Sequence, residues 1–588
     1  MFRSVRRITP LLRTLLLGVA TASSVTVATG SIVGCADENA AETWVKRLDD
    51  PATTPAAVNR IVQFFEDAMT RDNKDRNGPT VKPLLDVIME PMTKKCVSGD
   101  VDERTNSKLI KFISDARDPR GAPCLIKALK DYKPESTEED VRWAARAVGA
   151  MKLKEGAGPL LEVFMKVRHS KPKAFGIYRD VYEAVKAVND PSWEGQLITM
   201  LGRPINDPKD VPNLRDELFW QITSAELLGL QKSEKAIQPL LKMLLSPSKA
   251  QGHVTAILAL VKIGKPAVQP VIDLLESSNK ELVEYSKIEQ LKAAGDKPSS
   301  EQKKAAEIAH ISQAALMLGT IGRSDSATPL LTALGKSTDD VAKAIIAREL
   351  SKVPESPETV KAFQEIYEKV PATLTIPPGI GAREALLEAS GSYFDEAFVP
   401  WIVKTALEAK GEEGDVAPIR DASLQVAMKL MTLDQIAEVD KLYTKAQTGA
   451  DGKPSTVGKA FEKEYKMAKE LLTECKSDAA CYLTKASDPA NQQKDTQFKG
   501  IKAAYMLGVL GKPEIRQQIV DAMPKLTHAA IRFVSVSVID HLSPQGDNAI
   551  AQKLQAIVDE AEEKRNEQLM SANAPFKTVI YRLNARSQ

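Results

Sequence analysis

The feature that most constrains the fold of this chain is a glycine followed by a proline ten residues later. This spacing occurs at Gly149 and Pro159, Gly229 and Pro239, and Gly319 and Pro329. In the clearest copy, residues 313–334 (QAALMLGTIGRSDSATPLLTAL), an apolar stripe at helical spacing precedes a polar turn, and a second apolar stripe follows it. Gly319 and Gly322 favour a helix end, and Pro329 suits the first turn of the next helix. Each copy therefore predicts two short helices joined by a tight turn.

Weaker copies of this unit recur along most of the chain. Gly508 starts a fourth copy, with Gln518 in the proline position. The pattern resembles the HEAT repeat, a relative of the armadillo repeat, over most of residues 55–560. The resemblance implies an all-α fold, an α-solenoid of about 13 helix pairs at about 40 residues each, and it says little about function. Second helices are predicted near Pro83, Pro123, Pro159, Gln196, Pro239, Pro270, Pro329, Pro357, Pro400, Ala437, Cys481, Gln518 and Ile550.

Composition agrees with a stack of helices. Apolar residues make up 43% of the 588 residues and aromatic residues only 5%, which suits Ala- and Leu-rich helix pairs better than strands. Lys and Arg total 80 against 78 Asp and Glu, a net charge of +2. A general nucleic-acid-binding protein is usually more basic, so we expect no nucleic-acid partner.

The first 35 residues have the pattern of a targeting signal. Four arginines precede residue 14, residues 14–34 carry no charge, and the segment closes on Ile32-Val33-Gly34-Cys35. This resembles the lipobox of bacterial lipoproteins, which implies cleavage after Gly34 and a diacylglyceryl group on the Cys35 sulfur. Acyl chains on the new N-terminus hold such a protein stably on a membrane. Another secretory signal or an uncleaved anchor helix is the alternative.

The resulting domain organisation has four parts. They are a signal peptide at residues 1–34, a tether at 35–54, a HEAT-like solenoid at 55–560, and a C-terminal cap or tail at 561–588. The expected location is across the inner membrane and lipid-anchored, on the outer membrane facing the periplasm or at the cell surface. Ala36, next to the lipid-bearing cysteine, favours the outer membrane in the enterobacterial sorting rule.

Four segments interrupt the repeat rhythm, at residues 203–213, 277–307, 370–382 and 446–458. Each is interpreted either as a surface connection or as a loop that helps bind a partner. The best candidate for partner binding is 370–382, where Leu374, Ile376 and Ile380 would be exposed apolar groups. The alternative is that these side chains tuck against neighbouring helices. The sequence does not decide whether 277–307 is a helix or a disordered loop.

Four cysteines remain once Cys35 is set aside. Cys475 and Cys481 frame a short turn between two predicted helices, whose ends come within disulfide reach; two free thiols are the alternative. Cys96 and Cys124 are the remaining pair. A regular solenoid places them on opposite edges, about 20 Å apart, so their bridge requires irregular first repeats.

No catalytic or metal-binding motif is recognisable. The five histidines stand singly and none is followed by Glu, whereas deoxyhypusine hydroxylase, an iron enzyme of this repeat class, needs His-Glu pairs. The segment 73–78 has oxygen ligands at alternate positions and Gly78 at the sixth, but Leu84 stands where a calcium loop needs Glu, which favours a polar turn. We expect no metal and no cofactor.

These observations favour a scaffold over an enzyme. The predicted function is a lipid-anchored adaptor of the cell envelope that holds a protein or peptide along the concave face of the solenoid. The alternatives are an enzyme whose site is assembled from dispersed carboxylates, and a purely structural envelope protein. An exposed apolar groove would favour the adaptor, and a deep pocket with converging acids or histidines would favour the enzyme.

Overall fold

The computed structural model describes residues 37–170, 175–205, 209–322, 324–377, 379–411, 413–448, 461–564 and 573–587. The chain divides into two compact units, residues 1–109 and 110–588. The described residues form 29 α-helices and one two-stranded antiparallel hairpin, in which Ile376 pairs with Ile380. The fold is therefore all-α.

The helices of unit 1 lie at α1 (Ala41–Lys46), α2 (Thr54–Arg71) and α3 (Val81–Ser98), and α4 (Glu103–Ala116) begins in unit 1 and ends in unit 2. The first half of unit 2 contains α5 (Ala122–Lys130), α6 (Glu138–Met151), α7 (Ala157–Lys166), α8 (Phe175–Val188), α9 (Glu194–Leu201), α10 (Val211–Leu230), α11 (Ile237–Leu245), α12 (His253–Ile263), α13 (Lys265–Leu275), α14 (Lys280–Ala294), α15 (Ser300–Ile321) and α16 (Ala327–Lys336).

The second half contains α17 (Asp340–Leu350), α18 (Pro357–Lys369), β1 (Thr375–Ile376), β2 (Ile380–Gly381), α19 (Ala382–Ser390), α20 (Phe398–Glu408), α21 (Glu413–Leu430), α22 (Ile436–Ala446), α23 (Glu462–Cys475), α24 (Ala479–Ser487), α25 (Gln497–Val509), α26 (Ile515–Ala522), α27 (Ala529–His541), α28 (Asn548–Glu563) and α29 (Asn573–Arg586).

The helices are arranged in pairs, as the repeat predicts. Among the described helices, 26 form 13 consecutive pairs from α2 with α3 to α27 with α28, and α1, α14 and α29 stand outside the pairs. Pro239 is the third residue of α11 and Pro329 the third of α16, where a missing N–H leaves no hydrogen bond unmade. The prediction of a HEAT-like α-solenoid of about 13 pairs is confirmed.

The glycines of the repeat serve two different purposes. Gly322 ends α15 in the left-handed conformation (φ 64°), as predicted. Gly149 lies inside α6, and a Cβ there would stand 2.8 Å from the Ala184 Cα on α8. Gly229 meets Ala259 of α12 in the same way, at 2.7 Å. These glycines therefore remove side-chain bulk where the first helices of successive pairs touch, rather than ending a helix.

Three buried cations cap helix C-termini from neighbouring elements. The ammonium group of Lys249 donates to the Leu201 carbonyl at 3.0 Å, at the end of α9. Lys502 donates to the carbonyls of Lys429 and Met431 at the end of α21. Arg532 donates to the carbonyls of Met523 and Leu526. Each cation donates to carbonyls at or just beyond a helix end, where most carbonyls lack a partner within the helix.

Two segments outside the pairs are ordered elements of the fold. Much of residues 277–307, left open by the sequence, is helical: α14 packs against α11 and α15, and the capping box of Ser299 and Gln302 starts α15. In the predicted tether, α1 packs against α2 and α3, and Leu48 is buried. Residues 41–48 of the predicted tether therefore pack within unit 1.

The last helix, α29, joins distant parts of unit 2. It packs against α27 and α28, which precede it in the chain, and also against α12 and α15 from the middle of the chain. The Arg582 guanidinium donates to the Lys352 carbonyl at 2.8 Å, across 230 residues of sequence. Helices of the described chain include none with the length and apolar character needed to cross a bilayer.

Candidate functional site: a cleft beside the last helix

A cleft of about 650 Å³ opens where α12, α27 and α29 face the turns after α17 and α19. This volume falls in the range in which proteins bind drug-sized ligands. The side chains that carry the site are Val254, Leu258, Val353, Glu355, Tyr393, Phe394, Tyr505, Phe533, Asp540, His541, Val579, Arg582 and Arg586. Val254 and Arg586, the first and last of them, lie more than 330 positions apart in sequence, and the packing of α29 against α12 brings them together.

Two apolar side chains of the cleft are unusually exposed. Phe533 on α27 is 51% exposed and Val254 on α12 is 62% exposed. Both line the cleft, with Leu258 and the buried Val353 and Val579 beside them. An exposed aromatic side chain at the edge of an apolar depression typically marks a binding surface.

An aromatic cluster forms one wall. The Phe394 ring lies 5.3 Å from the Tyr505 ring and 5.2 Å from the His541 ring, between centroids. Phe394 takes a left-handed backbone conformation (φ 51°), which is unfavourable for a bulky residue. Gly508 makes room for it, since a Cβ there would lie 2.5 Å from the Phe394 ring. The glycine of the fourth repeat copy thus helps to shape the site.

The inner end of the cleft is an internally neutralised ionic network. Asp540 pairs with Arg582 at 2.7 Å and with Arg586 at 3.0 Å. The fully buried Glu349 accepts from Lys352 at 2.6 Å and from Arg348 at 3.0 Å. Every carboxylate here already faces two cations, so the network orients α29 and leaves no free acid at this end.

A pair of carboxyl groups lies at the opposite end. Partial desolvation in the cleft, together with the charge of Asp395 and a hydrogen bond to it, raises the pKa of Glu355 to about 7. Asp395 also accepts the Ala397 N–H at 2.8 Å. Burial raises the pKa of the Tyr393 phenol and lowers the pKa of His541. At neutral pH the Tyr393 phenol and the His541 imidazole are therefore mostly uncharged, and Glu355 is about half ionised.

The arrangement suits binding better than catalysis. No hydrogen bond joins His541 to a hydroxyl or thiol among the residues described, so a base-activated nucleophile is not assembled. In the described ranges, no group of three His, Cys, Asp or Glu side chains could hold a metal ion. The cleft offers apolar surface and neutral hydrogen-bonding groups, which is what an uncharged segment requires.

The predicted loop candidates do not form an exposed patch. Ile376 is 1% exposed because β1 packs against α17, and Leu374 and Ile380 are half-buried. Ile376 is therefore not an exposed apolar group, whereas the role of the three residues in partner binding stays a prediction. Among the described residues, Val254 on α12 and Phe533 on α27 are the most exposed large apolar side chains.

One of the two predicted cysteine pairs is a disulfide in the structure. Cys475 and Cys481 are joined by a disulfide, with their Cα atoms 5.4 Å apart. Cys96 and Cys124 are both buried, and their pairing stays a prediction. Cys35 lies outside the described residues, so its lipidation stays a prediction.

Comparisons with known proteins do not assign the chain to a family. No protein-family model matches the chain, and no curated protein sequence matches it. A solved structure from work on a phosphorylation switch in the interaction between cadherin and beta-catenin is 11% identical, with a TM-score of 0.25, covering 93% of this chain and 99% of that chain. The karyopherin Kap121p bound to the SUMO protease Ulp1p is 13% identical, with a TM-score of 0.23, covering 93% and 73%. Scores this low carry no argument, so the fold rests on the helix pairs themselves.

Proposed function

We propose that the chain is a non-enzymatic adaptor whose cleft binds an uncharged, apolar segment of a protein partner. The observation that carries this proposal is the exposure of Phe533 and Val254 at the mouth of a cleft whose charges are already paired. Apolar side chains of the segment would cover these two residues, as at the centre of a peptide-binding groove.

The charges around the cleft argue for a neutral occupant. The cations Lys352, Arg582 and Arg586 of the cleft are already paired, Lys352 with Glu349 and the two arginines with Asp540. A charged ligand would have to displace one of these pairs, at a cost that a neutral segment avoids. The hydroxyl groups of Ser392, Ser537 and Thr578 also line the cleft and can hydrogen-bond to a peptide backbone.

Selection of peptides from a random library against the mature chain tests this proposal. We expect the selected peptides to be apolar and uncharged, and Phe533→Ser to weaken their binding about tenfold, equivalent to about 1.4 kcal/mol, through loss of an aromatic contact. Leu433→Ser is the matched control, because Leu433 is also exposed but does not line the cleft. Affinity is measured by fluorescence anisotropy.

Two outcomes would overturn the proposal. Peptides that bind Phe533→Ser as tightly as the wild type do not use the cleft. If selection yields no peptide, but a small apolar dye binds the wild type and not Phe533→Ser, the occupant is a small molecule rather than a protein segment.

We further propose that the adaptor is anchored at the cell envelope through Cys35. The lipobox-like Ile32-Val33-Gly34-Cys35 supports this. In a bacterial host, Cys35→Ser is expected to abolish the acylated N-terminal peptide and to move the chain out of the membrane fraction, as measured by mass spectrometry and fractionation. Ser31→Ala, four residues earlier, should keep the lipid. An unmodified N-terminal peptide in the wild type would refute the anchor.

A further inference from the structure

A second depression, of about 460 Å³, lies apart from the cleft on the other side of α29. It opens where the C-terminal ends of α10, α12 and α29 meet the N-terminal end of α28. Its lining residues are Gly229, Leu230, Lys232, Lys262, Asn548, Gln552, Tyr581 and Asn584. We call it the Lys262 pocket.

The lining of the Lys262 pocket contains cations and amides but no carboxylate. It has two lysines, three side-chain amides and one phenol. In the part of the chain that the structure describes, none of these six polar side chains forms a hydrogen bond or ion pair with another residue. The closest polar contact is that of the Lys262 ammonium over the Tyr581 ring, 4.3 Å from its centroid. Six hydrogen-bonding side chains thus converge on one space with their capacity unused.

The carboxylates near Lys262 are engaged elsewhere. Glu226 accepts the Tyr182 hydroxyl at 2.6 Å and pairs with Lys186 at 3.2 Å. Glu562, on α28, pairs with Lys577 at 2.8 Å. Lys262 forms no ion pair of its own, because Glu226, the carboxylate that acts on it most strongly, is bonded to Tyr182 and Lys186. Burial is the main cause that lowers the pKa of Lys262, to about 8; Glu226 raises this pKa, and Lys186 and Lys577 lower it. A partly desolvated ammonium group that lacks a direct ion-pair contact is stabilised by an anion that binds beside it.

We propose that the Lys262 pocket binds a small oxyanion, either a carboxylate or a phosphate group. The ammonium of Lys262 supplies the charge, and the Tyr581 hydroxyl and the Asn584 amide donate hydrogen bonds to the anion's oxygens. Lys232, at the mouth, adds positive potential that attracts the anion. The pocket does not depend on the proposed adaptor function, since it shares no lining residue with the cleft.

Competitive labelling of lysines in the mature chain tests the proposal. The chain is acylated with N-hydroxysuccinimidyl acetate in phosphate, in acetate, or in sodium chloride of equal ionic strength, and each lysine is followed by mass spectrometry. At about ten times the Kd, the bound anion slows acylation of Lys262 about tenfold, because only the free pocket reacts. The exposed Lys265, three residues away, is the internal control and reacts at an unchanged rate.

The phosphate and acetate conditions of the labelling experiment distinguish the two kinds of oxyanion. Protection by phosphate alone assigns a phosphate-bearing ligand, and protection by acetate assigns a carboxylate. Phosphate should also raise the Tm of the wild type and of Lys265→Met, but not that of Lys262→Met. Equal protection of Lys262 and Lys265 would mean a general salt effect, and an unchanged phosphate response in Lys262→Met would place binding elsewhere; either result overturns the proposal.

Discussion

Replacing Lys502 with methionine is expected to lower the free energy of unfolding by about 3 kcal/mol or more, one of the two largest effects of a single substitution that we predict. Lys502 is completely buried on α25. Its ammonium donates to the Lys429 carbonyl at 2.9 Å and to the Met431 carbonyl at 2.6 Å, where α21 ends. Methionine fills the same space but donates nothing, so two buried carbonyls lose their partner.

Urea unfolding of the chain, followed by circular dichroism, measures this effect. Lys512→Met is the control, because Lys512 is exposed and its change should stay within about 0.5 kcal/mol. Burial holds the pKa of Lys502 well below 10.5. At a pH between the folded pKa and 10.5, Lys502 therefore binds fewer protons in the folded chain than in the unfolded chain. In this range the free energy of unfolding of the wild type increases as the pH rises. Lys502→Met should lack this gain. Equal midpoints for Lys502→Met and the wild type would contradict the capping role.

Gly149→Val is expected to cost about 3 kcal/mol, because the first helices of two successive pairs touch at this glycine. A Cβ at Gly149 would lie 2.8 Å from the Ala184 Cα and 3.0 Å from its Cβ. The obstacle is backbone of α8, which cannot rotate away as a side chain could. Valine therefore forces α6 and α8 apart and loosens the packing on both sides.

The control for this substitution is Gly195→Ala in α9, where a new Cβ meets nothing within 4 Å. There we expect a gain of about 0.5–1 kcal/mol, because alanine restricts the unfolded chain and favours the helix. Both values come from denaturant unfolding followed by circular dichroism. A Gly149→Val chain that unfolds at the wild-type midpoint would show that the helices can separate without loss.

Much of the fold could be predicted because its signals are local. Proline in the first turn of a second helix, as at Pro239 and Pro329, depends only on the missing N–H and the fixed backbone angle. The helix pairs and their number follow from that signal and the apolar stripes. Lys502 could not be predicted, because a lysine in a helical pattern is usually interpreted as exposed, and its partner carbonyls lie 71 and 73 residues away.

The sequence does not predict the cleft either, because its shape also depends on contacts between residues that are distant in sequence. Phe533 and Val254 are single apolar residues among many, and their exposure depends on which helices pack beside them. The sequence predicts a cap or tail at residues 561–588 and does not single out Arg582 or Arg586. Their partner Asp540 lies more than 40 residues away, on α27. The one available signal was Gly508, whose missing side chain admits Phe394.

Because α29 is synthesised last among the described helices, the surface that it covers on earlier helices stays exposed until α29 is made. During synthesis, α12 and α15 leave the ribosome long before α29, and Lys352 precedes Arg582 by 230 residues. At a few residues per second, the middle of the chain waits for tens of seconds with its α29-facing surface uncovered. An exported chain would carry that surface through translocation as well. Apolar groups such as Val254 and Leu258 are then open to chaperones before any partner can reach them.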